Sequence, residues 1–234
     1  MAKTILIKNG IIATLGAKNK VLYGHALLIE DGLIKKIAPQ KTFKGKYGKV
    51  IDASGKIVMP GFINAHMHFY STFARGLGKA APSKNFVEIL NNLWWKLDKQ
   101  LTNADSYYSA VIPLINAIRK GTTTIIDHHA SPFAITGSLA AIEKGVRETG
   151  LRAALCYEVS DRDGEEKAKE GIEENAAFIA AAQAKDDNTI KGMFGLHASF
   201  TLSDKTLEEA AYRGHKLGAG FHVHTAESQA DQLH

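Results

Sequence analysis

His66 and His68 stand two residues apart at the end of the short apolar segment GFINAHMHF. In a β-strand, residues i and i+2 point to the same face, so both imidazoles would project together. Imidazole is a common ligand for zinc and iron. Two polar residues at the tip of a strand are also ordinary, so this pair alone gives only a weak prediction of a metal site.

A second pair of histidines follows the same spacing near the other end of the sequence, in FHVHTAE. His222 and His224 are again at i and i+2, and Glu227 lies three residues beyond. Metal-assisted hydrolysis needs ligands and a separate group that moves protons, which a carboxylate at this spacing can supply. A glutamate after a strand is common, so this pattern too is weak when taken alone.

Further histidines recur at the ends of other apolar segments. His197 follows GL in GLHAS, and His128 and His129 follow TTTIID. Each has an ordinary interpretation as a hydrogen-bonded structural imidazole or as support for a ligand. Of the ten histidines in the chain, most stand at such strand ends: His66, His68, His128, His129, His197, His222 and His224. This recurrence predicts one shared site.

The elements that must position these residues alternate between strand and helix after residue 60. Near-continuous apolar strands separated by helical segments predict a parallel sheet. Active sites of (β/α) barrels lie at the carboxyl ends of the strands. We therefore expect an α/β fold, a partial TIM-type barrel with strands one to five of eight, in residues 59–234. Residues 1–58 are expected to form the N-terminal part of a small β-sandwich, with hairpin turns at Asn9-Gly10 and Asp31-Gly32.

Composition excludes several classes of protein. A 45% hydrophobic and 23% charged chain is globular. The single cysteine, Cys156, excludes an internal disulfide and is expected to be buried. The net charge is +5, but the lysines of residues 1–58 are scattered, so we predict no nucleic-acid partner. We see no signal peptide or membrane-length apolar run, so we expect no membrane partner and a cytoplasmic location.

The motifs together resemble the chlorohydrolase/deaminase branch of the amidohydrolase superfamily, and the SsnA-type aminohydrolases in particular. That branch includes guanine deaminases, S-adenosylhomocysteine deaminases and triazine hydrolases. The resemblance rests on four segments that span most of the sequence in the family's order: VMPGFINAHMH at 58–68, Arg75-Gly76, GTTT at 121–124 and HVHTAE at 222–227.

The resemblance implies a role for particular residues. His66, His68 and His224 would bind one divalent metal ion, zinc or alternatively iron, and Glu227 would transfer the proton. His197 would contact the substrate, and Arg75 and Trp95 would lie in the segment that covers the pocket. His128 and His129 would contribute to substrate specificity. Lys191 stands near the start of the fourth strand, whereas relatives with two metals carry a bridging lysine at its end, so one metal is favoured.

The resemblance also implies a larger enzyme. The family needs a histidine from strand six and an aspartate from strand eight, and neither is among these 234 residues. We therefore expect the N-terminal part of a metal-dependent aminohydrolase that breaks a C–N or C–Cl bond of a small nitrogen-rich heterocycle. This chain alone would be inactive, and its partner would be a second copy or a complementing C-terminal half. Two alternatives stay open: a cyclic-amide hydrolase of the dihydroorotase/hydantoinase type, or an inactive metal-binding fragment.

Overall fold

A computed structural model describes residues 3–77, 81–185 and 187–233 of the chain. The chain divides into two compact units, Met1–Gly61 and Phe62–His234. None of the described helices is both long and apolar enough to cross a membrane.

The first unit consists of short strands in two sheets. One sheet has the order β5-β4-β1-β6 and the other the order β3-β2-β7. Strand β1 pairs antiparallel with β4 and parallel with β6. The strands are β1 Thr4–Lys8, β2 Ile11–Ala13, β3 Val21–Leu22, β4 His25–Glu30, β5 Leu33–Pro39, β6 Lys49–Asp52 and β7 Ile57–Val58, with a 3₁₀ turn at Gln40–Thr42.

The two predicted hairpin turns have different outcomes. Asp31 and Gly32, with φ of 49° and 83°, join the antiparallel strands β4 and β5, which confirms a tight turn with positive φ at both positions. The prediction at Asn9-Gly10 is wrong, because β1 and β2 belong to different sheets. Glycine is needed there for close packing instead: a Cβ on Gly10 would lie 2.9 Å from the Cβ of Ala53.

The second unit contains a parallel sheet with the strand order β11-β10-β9-β8 and a parallel pair, β12 and β13. A single parallel bridge between Val159 and Leu196 links the end of β10 to β12. Among the described residues the strands do not close into a barrel, and β8 and β13 are the outer strands. The strands are β8 Phe62–Met67, β9 Thr122–His129, β10 Arg152–Tyr157, β11 Ile190–Gly192, β12 Phe194–Ala198 and β13 Phe221–His224.

The fourth predicted strand, IKGMFGLHA, is two strands in the structure. It is interrupted at Met193, whose N–H donates to the Leu155 carbonyl at 3.0 Å. The part before the break pairs with β10, and the part after it pairs with β13. Gly195 allows the second part to cross close to the backbone of Tyr157, where a Cβ would overlap the carbonyl oxygen. The five expected strands are therefore six.

Helices follow the strands as the periodicity predicts. Two of the helices begin at polar caps: the Thr102 hydroxyl accepts from the N–H of Asp105 before α3, and the Ser203 hydroxyl accepts from that of Thr206 before α6. The helices are α1 Phe86–Ile89, α2 Trp95–Leu97, α3 Asn103–Arg119, α4 Ser138–Thr149, α5 Glu165–Ala184, α6 Asp204–Lys216 and α7 Ala230–Leu233. Shorter turns are 3₁₀ at Phe69–Ala74, Asp98–Gln100 and Ser199–Thr201, and π-helical at Leu90–Trp94.

The core of the second unit lies between the parallel sheet and its helices. Leu114 of α3 and Ile142 of α4 pack in one cluster with Ile125 and Leu155 of the sheet, all fully buried. Burial of such side chains stabilises the fold by about 1.5–3 kcal/mol each. This packing fixes the strands in register, so their carboxyl ends meet at one edge.

Candidate metal centre and active site

Imidazoles from four strands meet at the carboxyl edge of the second unit. The rings of His66 and His68 are 4.8 Å apart, and that of His224 is 5.0 Å from the first and 5.1 Å from the second. His128, His197 and His222 lie in the same group, within 4.6 to 5.7 Å of the His224 ring or of each other. Residues far apart in the sequence thus form one cluster.

Three of these histidines are arranged as a ligand set. His66, His68 and His224 each offer one ring nitrogen, and these atoms lie within 4.8 Å of one another. The Nε2 atoms of His68 and His224 are 3.2 Å apart. Three imidazoles with room for a further ligand are a donor set that catalytic zinc takes in proteins.

The hydrogen bonds of His68 and His224 show which nitrogen faces the centre. Nδ1 of His68 lies 2.7 Å from the carbonyl oxygen of His128, and Nδ1 of His224 lies 2.9 Å from that of His197. A carbonyl only accepts, so each Nδ1 carries the proton and each Nε2 carries a lone pair. Two lone pairs that face each other at 3.2 Å repel unless a cation lies between them. This arrangement fits a metal ion.

Burial favours the neutral form, which metals bind, in His66, His68 and His222. It lowers the pKa of His68 to about 4, against a smaller upward effect of the Glu158 carboxylate. Burial also lowers the pKa of His66, with further lowering by His224 and His128, and lowers the pKa of His222 to about 4. Neutral imidazoles at neutral pH need not lose a proton before they bind a cation.

A cavity of about 360 Å³ opens beside the three ligands. Aromatic and aliphatic side chains from the segment after β8 form one wall, and titratable groups from β10, β12 and the segment after β13 form the other. Its lining consists of His66, Met67, His68, Tyr70, Ser71, Phe86, Leu90, Trp94, Glu158, His197, His224 and Glu227. A cavity that combines an apolar and aromatic wall with convergent polar groups is typical of a small-molecule site.

The structure places the predicted proton carrier and one predicted substrate contact at this cavity. Glu227 is exposed at its rim, and its backbone N–H donates to Asp231 at 3.1 Å. His197 lies in the wall, where its Nδ1 faces the Thr201 hydroxyl at 2.6 Å. That hydroxyl donates to the Ala198 carbonyl, so Nδ1–H of His197 donates to it and Nε2 is left as an acceptor.

Arg75 and Trp95, predicted to cover the pocket, are not among the residues that line it. Arg75 is exposed. Trp95 stands behind the wall, with its ring 6.3 Å from that of His197 and 5.2 Å from the Arg162 guanidinium. The neighbouring Trp94 forms the wall instead. The sequence pair Trp94-Trp95 did not show which indole faces the cavity.

His128 and His129 are fully buried and do not line the cavity. Nδ1 of His128 lies 3.1 Å from a Glu158 oxygen, and its Nε2 lies 3.1 Å from the Leu196 carbonyl. Both nitrogens therefore face acceptors. His129 contacts the hydroxyl of Ser131 at 3.0 Å, away from the ligands. The geometry gives both residues a supporting position beneath the site rather than contact with a substrate.

Glu158 is a candidate site residue that the sequence patterns did not single out. It is buried at the cavity wall between His128 and His197, with 3.8 Å between its Oε1 and Nε2 of His197. Burial alone would raise its pKa, but His197, His128 and Arg162 together hold the pKa well below its usual range. The signal was available, because Glu158 stands directly after β10, at the same end of the strands as the clustered histidines.

Glu158, His128 and His68 also lie close enough to form a second group of potential ligands. Both nitrogens of His128 face protein acceptors, and Nδ1 of His68 faces the His128 carbonyl. Nε2 of His68 already belongs to the first set. This second group is therefore better described as the hydrogen-bonded support of the first.

Comparison with known proteins identifies the family of this chain. The model of the amidohydrolase family matches residues 57–234. The chain belongs to the amidohydrolase family, which confirms the resemblance drawn from the motifs.

The relatives are deaminases. The chain is 33% identical to a 5'-deoxyadenosine deaminase of Methanobrevibacter smithii, over 97% of this chain and 49% of that protein. It is 30% identical to a 5-methylthioadenosine/S-adenosylhomocysteine deaminase of Syntrophomonas wolfei, over 97% of this chain and 50% of that protein. The chain thus spans about half the length of the curated relatives it matches.

A solved structure supports the fold. An adenosine deaminase from Xanthomonas campestris with bound zinc superposes with a TM-score of 0.82 at 20% identity, over 98% of this chain and 51% of that one. This likeness confirms the α/β fold at about half the length of that neighbour.

Proposed function

We propose that this chain supplies the metal-binding half of a hydrolase that removes an amino group from a purine nucleoside or a similar nitrogen-rich heterocycle. The observation that carries the proposal is the convergence of three imidazoles, two with Nε2 lone pairs facing each other at 3.2 Å. The substrate class follows from the relatives, which are deaminases of 5'-deoxyadenosine and 5-methylthioadenosine. Chloride displacement from a triazine-like ring would use the same residues.

In this proposal His66, His68 and His224 hold one divalent metal ion, for which zinc is the first choice. When bound, the metal supplies Lewis acidity that activates water near neutral pH. Glu227, at the cavity rim, would accept a proton from the attacking water and would deliver it to the leaving amino group. His197 presents Nε2 to the cavity and accepts a hydrogen bond from the substrate. The aromatic wall at Trp94 packs against the heterocycle.

The position of Lys191 supports one metal rather than the pair found in cyclic-amide hydrolases. Lys191 lies on β11, and its Nζ donates to the Asp187 carbonyl at 3.3 Å. It does not line the cavity. The bridging lysine that a two-metal site requires therefore has no counterpart at this position.

Zinc titration of the purified, chelator-treated chain tests the proposed centre. We expect one equivalent of zinc to bind, and we expect His68→Ala or His224→Ala to weaken binding by at least about 100-fold because each removes a ligand. His25→Ala is the matched control, since His25 lies in the first unit and should not affect affinity. Unchanged zinc affinity in both ligand variants would rule out the centre.

The activity is proposed for the longer protein. Ammonia release from 5'-deoxyadenosine by this chain alone should not exceed that of the His68→Ala variant. Addition of the other half of a relative, such as the M. smithii enzyme, should restore zinc-dependent turnover if the two parts assemble. Clear turnover by the chain alone would contradict the expected need for the second half.

A further inference from the structure

A series of hydrogen bonds connects the buried Cys156 with the predicted ligand His66. The thiol sulfur lies 3.4 Å from the Asp127 carbonyl oxygen and 3.8 Å from Nδ1 of His222. Nε2 of His222 in turn lies 2.9 Å from Nδ1 of His66. Cys156 is fully buried, and none of the proposed catalytic steps uses it or His222.

The direction of this series follows from the acceptor at its buried end. A carbonyl oxygen only accepts, so the S–H of Cys156 donates to Asp127 and the sulfur is left as an acceptor. Nδ1–H of His222 then donates to the sulfur, and Nε2 of His222 accepts. Nδ1–H of His66 donates to that nitrogen. The hydrogen bonds therefore all point the same way: His66 donates to His222, and His222 donates to Cys156.

This order leaves Nε2 of His66 with a lone pair for the metal. The opposite order would place the proton on Nε2 and remove His66 from the ligand set. His68 and His224 reach the same tautomer through backbone carbonyls, which no substitution of a side chain removes. Among the three ligands described, His66 alone depends on a side chain for its tautomer.

We propose that His222 is a positioning residue that holds His66 in its metal-binding tautomer, and that Cys156 sets the direction of the hydrogen bond between them. This inference rests on the proposed metal centre. Such partners of ligating histidines orient the ring and raise its basicity, and their loss typically weakens metal binding about 10- to 100-fold.

Two substitutions of His222 separate this role from direct ligation. His222→Gln can place its amide oxygen where Nε2 accepts from His66, whereas His222→Leu fills similar space without an acceptor. Competition with a chromophoric chelator should show zinc affinity about 10- to 100-fold weaker for His222→Leu and within about 3-fold of wild type for His222→Gln. Nitrogen-15 spectra of the metal-free chain should show His66 protonated on Nδ1 in wild type and mixed tautomers in His222→Leu.

Cys156 gives a second, independent test if the His222→Leu variant does not fold. Cys156→Val removes the sulfur acceptor at nearly constant volume, and Cys156→Ser keeps an acceptor. We expect zinc affinity to fall by at least about 3-fold in the valine variant and to stay nearer to wild type in the serine variant. His215→Leu, on α6, is the control for general loss of an imidazole.

The outcomes distinguish this inference from the proposed function. Equal, large losses in His222→Gln and His222→Leu would make His222 a ligand and overturn the positioning role. Wild-type affinity in both His222→Leu and Cys156→Val would overturn it as well. If His68→Ala and His224→Ala keep zinc, the proposed centre itself fails, whatever the His222 variants show.

Discussion

At the scale of single residues, the proposed metal centre depends on hydrogen bonds that assign a proton to one nitrogen of each proposed ligand. The backbone carbonyls of His128 and His197 fix the tautomer of two of the three proposed ligands, His68 and His224. His128 and His197 are held in turn by the buried Glu158 and by Thr201. The ligands are therefore supported by a second layer of polar contacts, as is usual for metal-binding histidines.

Substitution of Glu158 tests that layer. Glu158→Gln removes, at nearly constant volume, the buried negative charge that faces Nδ1 of His128 and lies near His197 and Arg162. We expect the free energy of unfolding to fall by about 3–5 kcal/mol. Denaturant unfolding measures this, with the exposed Glu166→Gln as the matched control. A loss no larger than that of the control would show that the charge is dispensable.

The buried histidines predict a loss of stability in acid. Burial lowers the pKa of His68 to about 4 and that of His129 to about 3, from 6.5 in an unfolded chain. The unfolded state then binds more protons as pH falls below 6.5, so stability is full above that pH and is lost towards pH 4. Burial raises the pKa of Asp98 to about 6 and that of Asp127 well above its usual range, and these two carboxyl groups oppose the trend.

Urea unfolding of the metal-free chain between pH 7.5 and 5 measures this effect. The midpoint should move to lower urea as pH falls, and the decrease should be smaller in His129→Gln, which cannot take up the proton. His25→Gln serves as the control in the first unit. A midpoint that is constant or that rises towards pH 5 would contradict the prediction.

At the scale of elements, the interruption of the fourth strand decides where His197 lies. The chain leaves the four-stranded parallel sheet of the second unit at Met193. It continues as β12 beside β13, with His197 near the end of β12. The close crossing over Tyr157 requires a residue without a side chain at position 195. A glycine in this strand therefore has a packing role rather than a turn role.

Gly195→Ala tests the crossing. Its Cβ would overlap the Tyr157 carbonyl, so we expect the free energy of unfolding to fall by about 1–3 kcal/mol and zinc affinity to weaken as β12 and β13 move. Gly16→Ala is the control, because a Cβ there has open space. Equal free energies of unfolding for the two variants would show that β12 can move away from the Tyr157 backbone without loss of stability.

At the scale of the whole molecule, the second unit exposes apolar side chains on its outer strand and on one helix. Ile63 of β8 is 68% exposed, and Ile112, Ile115 and Ile118 of α3 are 42–47% exposed along one face. Outer strands and contiguous apolar surfaces favour association with another chain. The predicted partner, a second copy or a complementing half, would cover this surface.

Self-association of the isolated chain follows from this exposure. Sedimentation velocity should show a species larger than 25.4 kDa that grows with concentration, and Ile63→Lys or Ile115→Lys should shift it towards the monomer. Leu33→Lys, at a 75% exposed position of the first unit, is the matched control. A monomer at all concentrations would contradict the prediction that copies of this chain associate through this surface.

The sequence by itself determined the order of strands and helices, the family and the set of histidines at the strand ends. These follow from local patterns, because the periodicity of apolar residues sets element type and the ends of parallel strands share one edge. The HxH spacing at 66–68 and 222–224 also fixed which side chains face together. Each of these features is encoded by residues that lie within a few positions of one another in the sequence.

The tertiary structure alone decided which atoms meet. The hydrogen bond between His66 and His222 joins residues 156 positions apart in the sequence. Trp94 rather than Trp95 faces the cavity because of a π-helical turn, which the local sequence pattern does not indicate. The environment of Glu158 is set by partners on other strands. The fourth strand breaks at Met193 because the chain there crosses close to Tyr157. Proton positions and close crossings depend on distant neighbours, and those exist only when the chain is folded.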